Sequence, residues 1–493
     1  RKNGSRNVVL NKEGRGSKKK PGSSPPGFFE RSSCMIEINE TIAAIVTPLG
    51  ESGVGIIRIS GPEAFSVGDA IFQSNVATPL KMRQDRSIQY GHIVHTDGTV
   101  IDEVLLLLMK GPHSYTAEDV VEIQCHGNRY VLQHILNFVL ANGARLARPG
   151  EFTQRAFLHG RIDLVQAEAV MDIIQAKSSR GLTCAEEQLE GRLSKIIQEV
   201  RVALTDFITR LEVMVDYPEE DLEEIEVKDI SAALQNIQVL LAEMLKKSQT
   251  GKCIRDGVLV AINGVPNVGK SSLLNCLLEE ERAIVTDVPG TTRDVIEEWI
   301  TIQGIPVCLV DTAGIRQTED KVEQIGVLKA QAYMDKADII LIVLDSSRSL
   351  SHEERDLLMQ QQQKPCVVIL NKTDLVPVIE ADDIAVYGLP IISISAGQGT
   401  GISELKQKIL DMIMDAGLQG ERSVLLANTR HIDLTRQAKL SIDRALETVH
   451  AGLPLDLAII DIRAAWEALG AITGQTVGED IITEIFSRFC LGK

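Results

Sequence analysis

Several things are scarce in this 493-residue chain, and each scarcity excludes a class. Aromatic residues make up only 4% against 44% apolar residues, so a folded core must be aliphatic and helix-rich. No apolar run approaches the ~20 residues needed to span a bilayer, so no stable membrane association is expected. Positive charge is in deficit: the formal net charge is −17, and no global basic field exists to hold nucleic acid. Any RNA contact must therefore use a local patch. The eight cysteines include no CxxC pair, which argues against zinc and against a disulfide framework, and for a reducing compartment.

The exception to the acidic balance is the start. Residues 1–33 hold nine Lys/Arg and two Glu among Gly, Ser and Pro, a composition that cannot bury a core. The region 1–34 is expected to be a disordered basic leader. It reads either as a solvated or added tail, or as the remnant of a transit peptide. The second reading implies a plastid or mitochondrion; the alternative is a bacterial cytoplasm.

Beyond the leader, "TIAAIVTP" (41–48), "GVGIIRIS" (53–60) and "DEVLLLLM" (102–109) are strand-like, and 129–143 has helical spacing with a Gly stop. This predicts a mixed α/β domain over 35–155. From Ala156 to Val215 the period is 3.6 without proline, predicting long amphipathic helices. The acidic "DYPEEDLEEIE" (216–226) breaks them as a solvated loop, and helix resumes to about Lys247. From Gly257 to about Met414 short apolar strands alternate with helices, the pattern of a parallel-rich sheet, with a hairpin turning at Gly304. After residue 415 helix returns. The organisation expected is 35–155, then 156–250 helical, 251–414 α/β, and 415–493 helical. The two helical stretches need a partner face and are predicted to pack together.

"GVPNVGKSS" (264–272) matches GxxxxGK[ST] between a strand and a helix, the context that makes a phosphate-binding loop. Backbone N–H groups of Asn267, Val268, Gly269 and the helix N-terminus point at phosphates. Lys270 is placed to reach the β and γ phosphates, and Ser271 to put its hydroxyl on Mg²⁺, with Ser272 behind it. "DTAG" (311–314) adds Asp311 for Mg²⁺ through water, Thr312, Ala313 and the Gly314 N–H for the γ phosphate. "NKTD" (371–374) supplies Asn371, Lys372 and Asp374. The Asp374 carboxylate can accept from guanine N1–H and N2–H₂, a donor pair adenine lacks. "SISA" (393–396), through Ser395 and Ala396, can close on guanine O6. Four motifs in this order, each at a strand end, imply GTP binding.

"TDVPGTTRD" (286–294) lies between the first two motifs, and its Thr292 is a natural switch residue for Mg²⁺ and γ phosphate. Ras-like enzymes place a water-orienting glutamine after DTAG; here stands Ile315. Glu319, Asp320 and Glu323 are acidic candidates for that role, and spacing does not choose among them. Arg293 and Arg316 are nearby cations without an assignable role, and the Asn267 side chain could ligate a second cation instead.

With these motifs, "TIAAIVTPLG", "GVGIIRISG", "YTAEDVVEIQCHG", "ARPGEFTQRAFLHGRIDLVQAEAV" and the terminal "FCLGK" resemble the MnmE (TrmE) family of tRNA-modification GTPases, over about 460 residues from Met35. The resemblance implies a multidomain fold: an α/β folate-binding, dimerising N-terminal domain, an all-α domain, and a Ras-like P-loop G domain inserted into the α domain. It implies a homodimer working with a FAD-dependent MnmG/GidA-like partner on tRNA. The product would be a carboxymethylaminomethyl or aminomethyl group at C5 of wobble uridine-34, its carbon drawn from a tetrahydrofolate derivative. GTP hydrolysis would be stimulated by K⁺ as G domains pair.

By position the resemblance implies Glu323 as the catalytic carboxylate. It implies K⁺ ligands at Asn267, Thr286, Val288 and Thr291, within a GTP-binding loop that also includes Asp287, Pro289, Gly290 and Thr292. Mg²⁺ would lie on Ser271 and Thr292. Folate contacts are implied at Arg58, Glu122, Arg161 and Lys493, and Cys490 becomes a candidate reactive thiol. Arg161 stands where some members carry Lys, and Leu491 where Ile is usual. A ribosome-assembly GTPase switch and a folate-dependent one-carbon transferase are the competing readings. Arg145, Arg148, Arg155 and Arg161 form a local basic run, either surface charge with a folate contact or an RNA footprint.

Overall fold

A computed structural model describes residues 39–216, 227–281, 297–311, 332–360, 364–415, 426–490 and 492. The first sheet begins with β1 (Ile42–Ile45) and β2 (Ser52–Ser60). It continues with β3 (Phe72–Gln73), β4 (Ser87–Val94), β5 (Val100–Met109), β6 (Val120–Gly127) and β7 (Arg145–Leu146). Its order is β3-β4-β5-β6-β2-β1-β7. Alternation in β2 and β5 sends Ile57, Ile59, Val104, Leu106 and Leu108 inward. They meet α1 (Ala64–Ile71) and α2 (Arg129–Ala141) in one core. The opposite face of the sheet carries Arg58 of β2 and Glu122 of β6, register partners.

The stretch expected as long helices is divided into α3 (Glu151–Leu158), α4 (Leu164–Gln175), α5 (Ser179–Leu189) and α6 (Arg192–Asp216). Periodicity alone missed the breaks. Gly160 and Gly191 take left-handed φ of 71° and 79°, while Asp163 and Ser178 cap the helices that follow. Asp163 and Gln166 complete a capping box, satisfying two otherwise orphaned donors. Helix α3 runs unbroken across residues 155 and 156.

Then follow α7 (Val227–Lys246) and α8 (Ser248–Asp256), and after the second sheet α13 (Thr429–His450), α14 (Leu455–Thr473) and α15 (Glu479–Ser487). Leu204 of α6, Leu241 of α7, Ile442 of α13 and Ile462 of α14 share one core, so the helical stretches before and after the second sheet do pack together. A buried ionic cluster ties them further. Arg430 of α13 donates through Nε and Nη2 to the two carboxylate oxygens of Glu168 on α4, both at 2.9 Å. His431, fully buried, lies 2.6 Å from Glu168 Oε2. Burial pushes the Glu168 carboxyl up, but the charges and hydrogen bonds of His431 and Arg430 outweigh it and hold the pKa at about 2.

The second sheet has the order β13-β12-β11-β8-β10-β9. Its strands are β8 (Val258–Asn263), β9 (Glu297–Ile302), β10 (Ile305–Asp311), β11 (Ile339–Asp345), β12 (Cys366–Asn371) and β13 (Ile391–Ser393). All neighbours are parallel except the β9–β10 pair. That hairpin turns on Gln303 (φ 48°) and Gly304 (φ 85°), two positive-φ residues that match the twist of the flanking strands. Every residue of β11 and β12 is buried, as central parallel strands require. One face packs on α9 (Lys270–Glu281) and α12 (Ile402–Asp415). The other meets α10 (His352–Gln360) and α11 (Ala381–Ile384). Among the described residues no helix is long and apolar enough to cross a membrane.

Candidate nucleotide and folate sites

The carboxyl ends of β8, β10, β11, β12 and β13 converge, the place where open parallel sheets bind ligands. Between β8 and α9 the loop turns on Gly264 (φ 154°), Asn267 (φ 67°) and Gly269 (φ 99°). A Cβ at Gly264 would stand 2.5 Å from the Val343 carbonyl, and one at Gly269 would stand 2.2 Å from Asn371 Nδ2. Both positions are thus closed to any side chain. Lys270 is buried, and its Nζ is held 2.8 Å from the carbonyls of Gly264 and Val265 at the heart of the loop. Ser271 Oγ donates to Asp311 Oδ2 at 3.1 Å. A hydroxyl and a carboxylate meeting there form the hard oxygen set that suits Mg²⁺.

Asn371 locks three loops together. Its Nδ2 donates to the Val268 carbonyl at 2.8 Å, and its Oδ1 accepts from Ala396 N at 3.0 Å. Ser395 Oγ donates to Asp374 Oδ1 at 2.6 Å, aiming that carboxylate. Lys372, at a left-handed φ of 67°, donates to the Asn267 carbonyl and pairs with Asp345 at 2.6 Å. Burial raises the Asp345 carboxyl, but hydrogen bonds from Lys372 and Ser347 outweigh it and leave the pKa lowered. Sequence reasoning missed Asp345. The signal was there: it ends the run "IILIVLD" as Asp311 and Asn371 end theirs.

Of the residues expected at this site, Asn267, Val268, Gly269, Lys270, Ser271, Ser272, Asp311, Asn371, Lys372, Asp374, Ser395 and Ala396 lie around these strand ends. Thr286 to Thr292, Thr312 to Gly314, and Glu323 with its rivals Glu319 and Asp320 lie outside the described residues.

In the first domain Arg58 Nε donates to Glu122 Oε1 at 2.7 Å, while Arg58 Nη1 is buried with no hydrogen-bond partner. Arg161 donates to the Tyr115 carbonyl at 3.0 Å. The guanidinium carbons of Arg161 and Arg58 stand 5.1 and 5.3 Å from the Tyr115 ring centroid. Two cations, one carboxylate and an orphaned buried donor around an aromatic ring suit a flat, anionic ligand such as a folate. Tyr115, whose hydroxyl is 2.9 Å from Thr153 Oγ1, was not singled out from sequence.

The basic run needs correction as an RNA footprint. Arg155 is 2% exposed and paired with Glu118 and Glu151. Arg145 donates twice to Glu151, which also accepts from the Arg148 backbone. Burial raises the Glu151 carboxyl, yet these bonds hold its pKa at about 2. Arg145 and Arg155 therefore serve the fold, and only Arg148 and Arg161 keep exposed character.

The chain's end docks on this domain. Phe486 and Phe489 are buried with Leu164 and Met171, and the Cys490 carbonyl accepts from Gly150 N at 3.3 Å. Gly492 takes φ 92° with its α-carbon so close to β1 that a Cβ would stand 2.5 Å from the Ile45 carbonyl. The Cys490 thiol is unbonded to another cysteine and exposed. Leu491 and Lys493 lie outside the described residues.

A five-strand parallel sheet with an antiparallel edge, a glycine-hinged phosphate loop and an Asn-Lys-x-Asp loop at adjacent strand ends define a P-loop GTPase domain, here inserted within a helical domain. Residues 41–161 match the family model "GTP-binding protein TrmE N-terminus", and residues 164–490 match "MnmE helical domain". The tRNA modification GTPase MnmE of Geobacillus thermodenitrificans is 46% identical over 458 residues, covering 92% of this chain and 99% of that protein. That of Heliobacterium modesticaldum is 48% identical over 466 residues, covering 92% and 100%. The chain belongs to the MnmE family of tRNA modification GTPases. The G domain of T. maritima FeoB is 28% identical over 31% of this chain and 98% of its own, with a TM-score of 0.25.

Proposed function

We propose that this GTPase installs the aminomethyl or carboxymethylaminomethyl group at C5 of wobble uridine-34 in tRNA, as a homodimer with a FAD-dependent MnmG-like partner. The observation that carries this reading is the union, in one chain, of a guanine-type nucleotide loop set with the Arg58–Tyr115–Arg161 cluster of the first domain. The carbon would come from a tetrahydrofolate derivative. Arg58, Arg161 and Lys493 would face its anionic groups and Glu122 its pterin donors.

In the G domain, Lys270 would neutralise the β and γ phosphates, and Asp374 with the Ala396 N–H would read guanine. Ser271 and Thr292 would hold Mg²⁺, which offsets phosphate charge when bound. The Asn267 side chain with Thr286, Val288 and Thr291 would hold K⁺, in place of an arginine finger. Glu323 would orient the attacking water where Ile315 cannot. Glu323→Ala or Glu323→Gln should abolish hydrolysis, by two orders of magnitude or more, while GTP affinity stays within about twofold. Single-turnover hydrolysis at the normal rate would remove Glu323 from this role.

The exposed Cys490 thiol sits on the docked tail, beside the folate cluster's own domain. Cys490→Ser should leave GTP turnover intact and lower tRNA modification in a reconstituted reaction. Unchanged modification would leave this thiol without a chemical role. The bacterial relatives lend no support to an organellar address for residues 1–34.

A further inference from the structure

A cavity of about 210 Å³ opens where α4, α5 and α8 meet. It is lined by Asp172, Gln175, Lys177, Gly181, Arg255 and Asp256, none of which belongs to the sites described above. Three helix ends border it. Helix α4 ends at Gln175 and α8 at Asp256, so each brings the negative end of its dipole. Gly181 lies in the first turn of α5, which brings a positive end.

The two negative ends carry carboxylates, where cations are the favourable choice. Asp172 stands in the last turn of α4, and Asp256 is the last residue of α8. One cation answers both. Arg255 Nε donates to Asp172 Oδ1 at 2.8 Å, and its Nη1 to Asp256 Oδ1 at 3.3 Å. The Asp172 side chain is only 9% exposed, and among the described residues its second oxygen has no hydrogen-bond partner. Burial pushes this carboxyl up, and Arg255 does not fully offset it. Glu168, one turn earlier on the same helix, shows the opposite state: both of its oxygens are bonded and its pKa is held at about 2.

Lys177, in the link from α4 to α5, is the counterpart of opposite sign. Its Nζ rests 3.2 Å from the ring centroid of Trp299 on β9. Among the described residues it makes no hydrogen bond or ion pair. Burial pushes its pKa down, and the Cys308, Glu297 and Asp256 charges offset only part of that. One cavity thus carries an under-answered carboxylate and an unpaired ammonium. A simple cation bound there would leave Lys177 unpaired, and a simple anion would meet Asp172 and Asp256. A molecule with an ammonium and a carboxylate a few bonds apart answers both groups at once.

We propose that this cavity binds a free α-amino acid, with its ammonium on Asp172 and Asp256 and its carboxylate on Lys177. The assignment does not rest on the tRNA reaction proposed above.

The test uses the full chain saturated with Mg²⁺ and GDP. Thermal unfolding is followed against each coded amino acid in turn, at fixed pH and ionic strength. Acetate and methylammonium, each carrying one of the two charges, are the controls. At least one amino acid should raise the wild-type Tm saturably, as a ligand of the native state does, and neither control should match it. Lys177→Met keeps an apolar stem on Trp299 and removes the charge, and should weaken apparent affinity about tenfold or more. Asp256→Asn, at an exposed position, should weaken it from the ammonium side and serves alone if the methionine variant does not fold. No saturable response to any amino acid would overturn the proposal, as would equal responses in wild type and variants. A response matched by acetate or methylammonium would overturn it too, since one charge would then suffice.

Discussion

Asp374→Asn should cut GTP affinity by two to four orders of magnitude and confer binding of xanthosine triphosphate. The argument starts from Ser395, whose hydroxyl holds Asp374 Oδ1 at 2.6 Å and so fixes the plane of the carboxylate at the end of β12. In that plane it can accept from guanine N1–H and N2–H₂. Each charge-assisted hydrogen bond contributes about 1.5–3 kcal/mol, so two give the range stated. Asparagine turns one acceptor into a donor, which opposes the guanine amino group. Xanthine carries a carbonyl in place of that amino group and restores the match. Because Asn371 and Ala396 stay in place, the fold of the site is kept and the change falls on base choice alone. Competition between labelled GTP and xanthosine triphosphate measures it. Unchanged GTP affinity would show that the base is read elsewhere.

The second large effect is on stability. Glu168→Ala should lower the unfolding temperature of the helical domain by roughly 10 °C. The substitution strands Arg430 and His431 in an interior where His431 has no exposure and its Nδ1 already lacks a partner. Removing one member of a buried ionic cluster costs about 3–5 kcal/mol, and 1 kcal/mol shifts Tm by about 2–4 °C in a domain of this size. The pH dependence has a definite sign. The Glu168 pKa is lowered in the fold to about 2, so its contribution is complete above the unfolded value near 4.5 and is lost as pH falls toward 2. Calorimetry of the variant should therefore show a deficit at pH 7 that shrinks on acidification. A variant with wild-type Tm at pH 7 would mean that the cluster contributes no net stability.

How far the chain was legible depended on the kind of signal. The strand-end residues of the candidate nucleotide site were legible because they come in short contiguous runs at fixed spacing. Each run follows a strand betrayed by its unbroken apolar pattern, as in β11 and β12. The hairpin at Gly304 was readable for a similar reason, since a two-residue turn with positive φ demands glycine. Asp345 was overlooked because, although it ends an apolar run, it belongs to no recognised nucleotide motif; the pairing with Lys372 ties it to the site. The division of residues 156–215 into separate helices was hidden because an amphipathic period continues in phase across short breaks, while the Gly160 and Gly191 conformations are local. Charge misled most. Arg145, Arg148, Arg155 and Arg161 look alike in sequence, yet Glu118 and Glu151, one of them 37 residues from Arg155, decide which of them face solvent. Long-range pairing of that kind leaves no periodic trace. The terminal "FCLGK" lies between these cases: its glycine is explained by the approach to Ile45, and its thiol only by chemistry yet to be measured.

The central claim is that GTP turnover in this chain serves modification of the wobble uridine. The most direct test is nucleoside mass spectrometry of total tRNA from cells depleted of the protein and resupplied with wild type or Lys270→Ala. The account predicts that the C5-modified wobble uridines disappear on depletion, return with wild type, and stay absent with Lys270→Ala. Intact modification in depleted cells, accompanied by a ribosome-subunit defect, would contradict it.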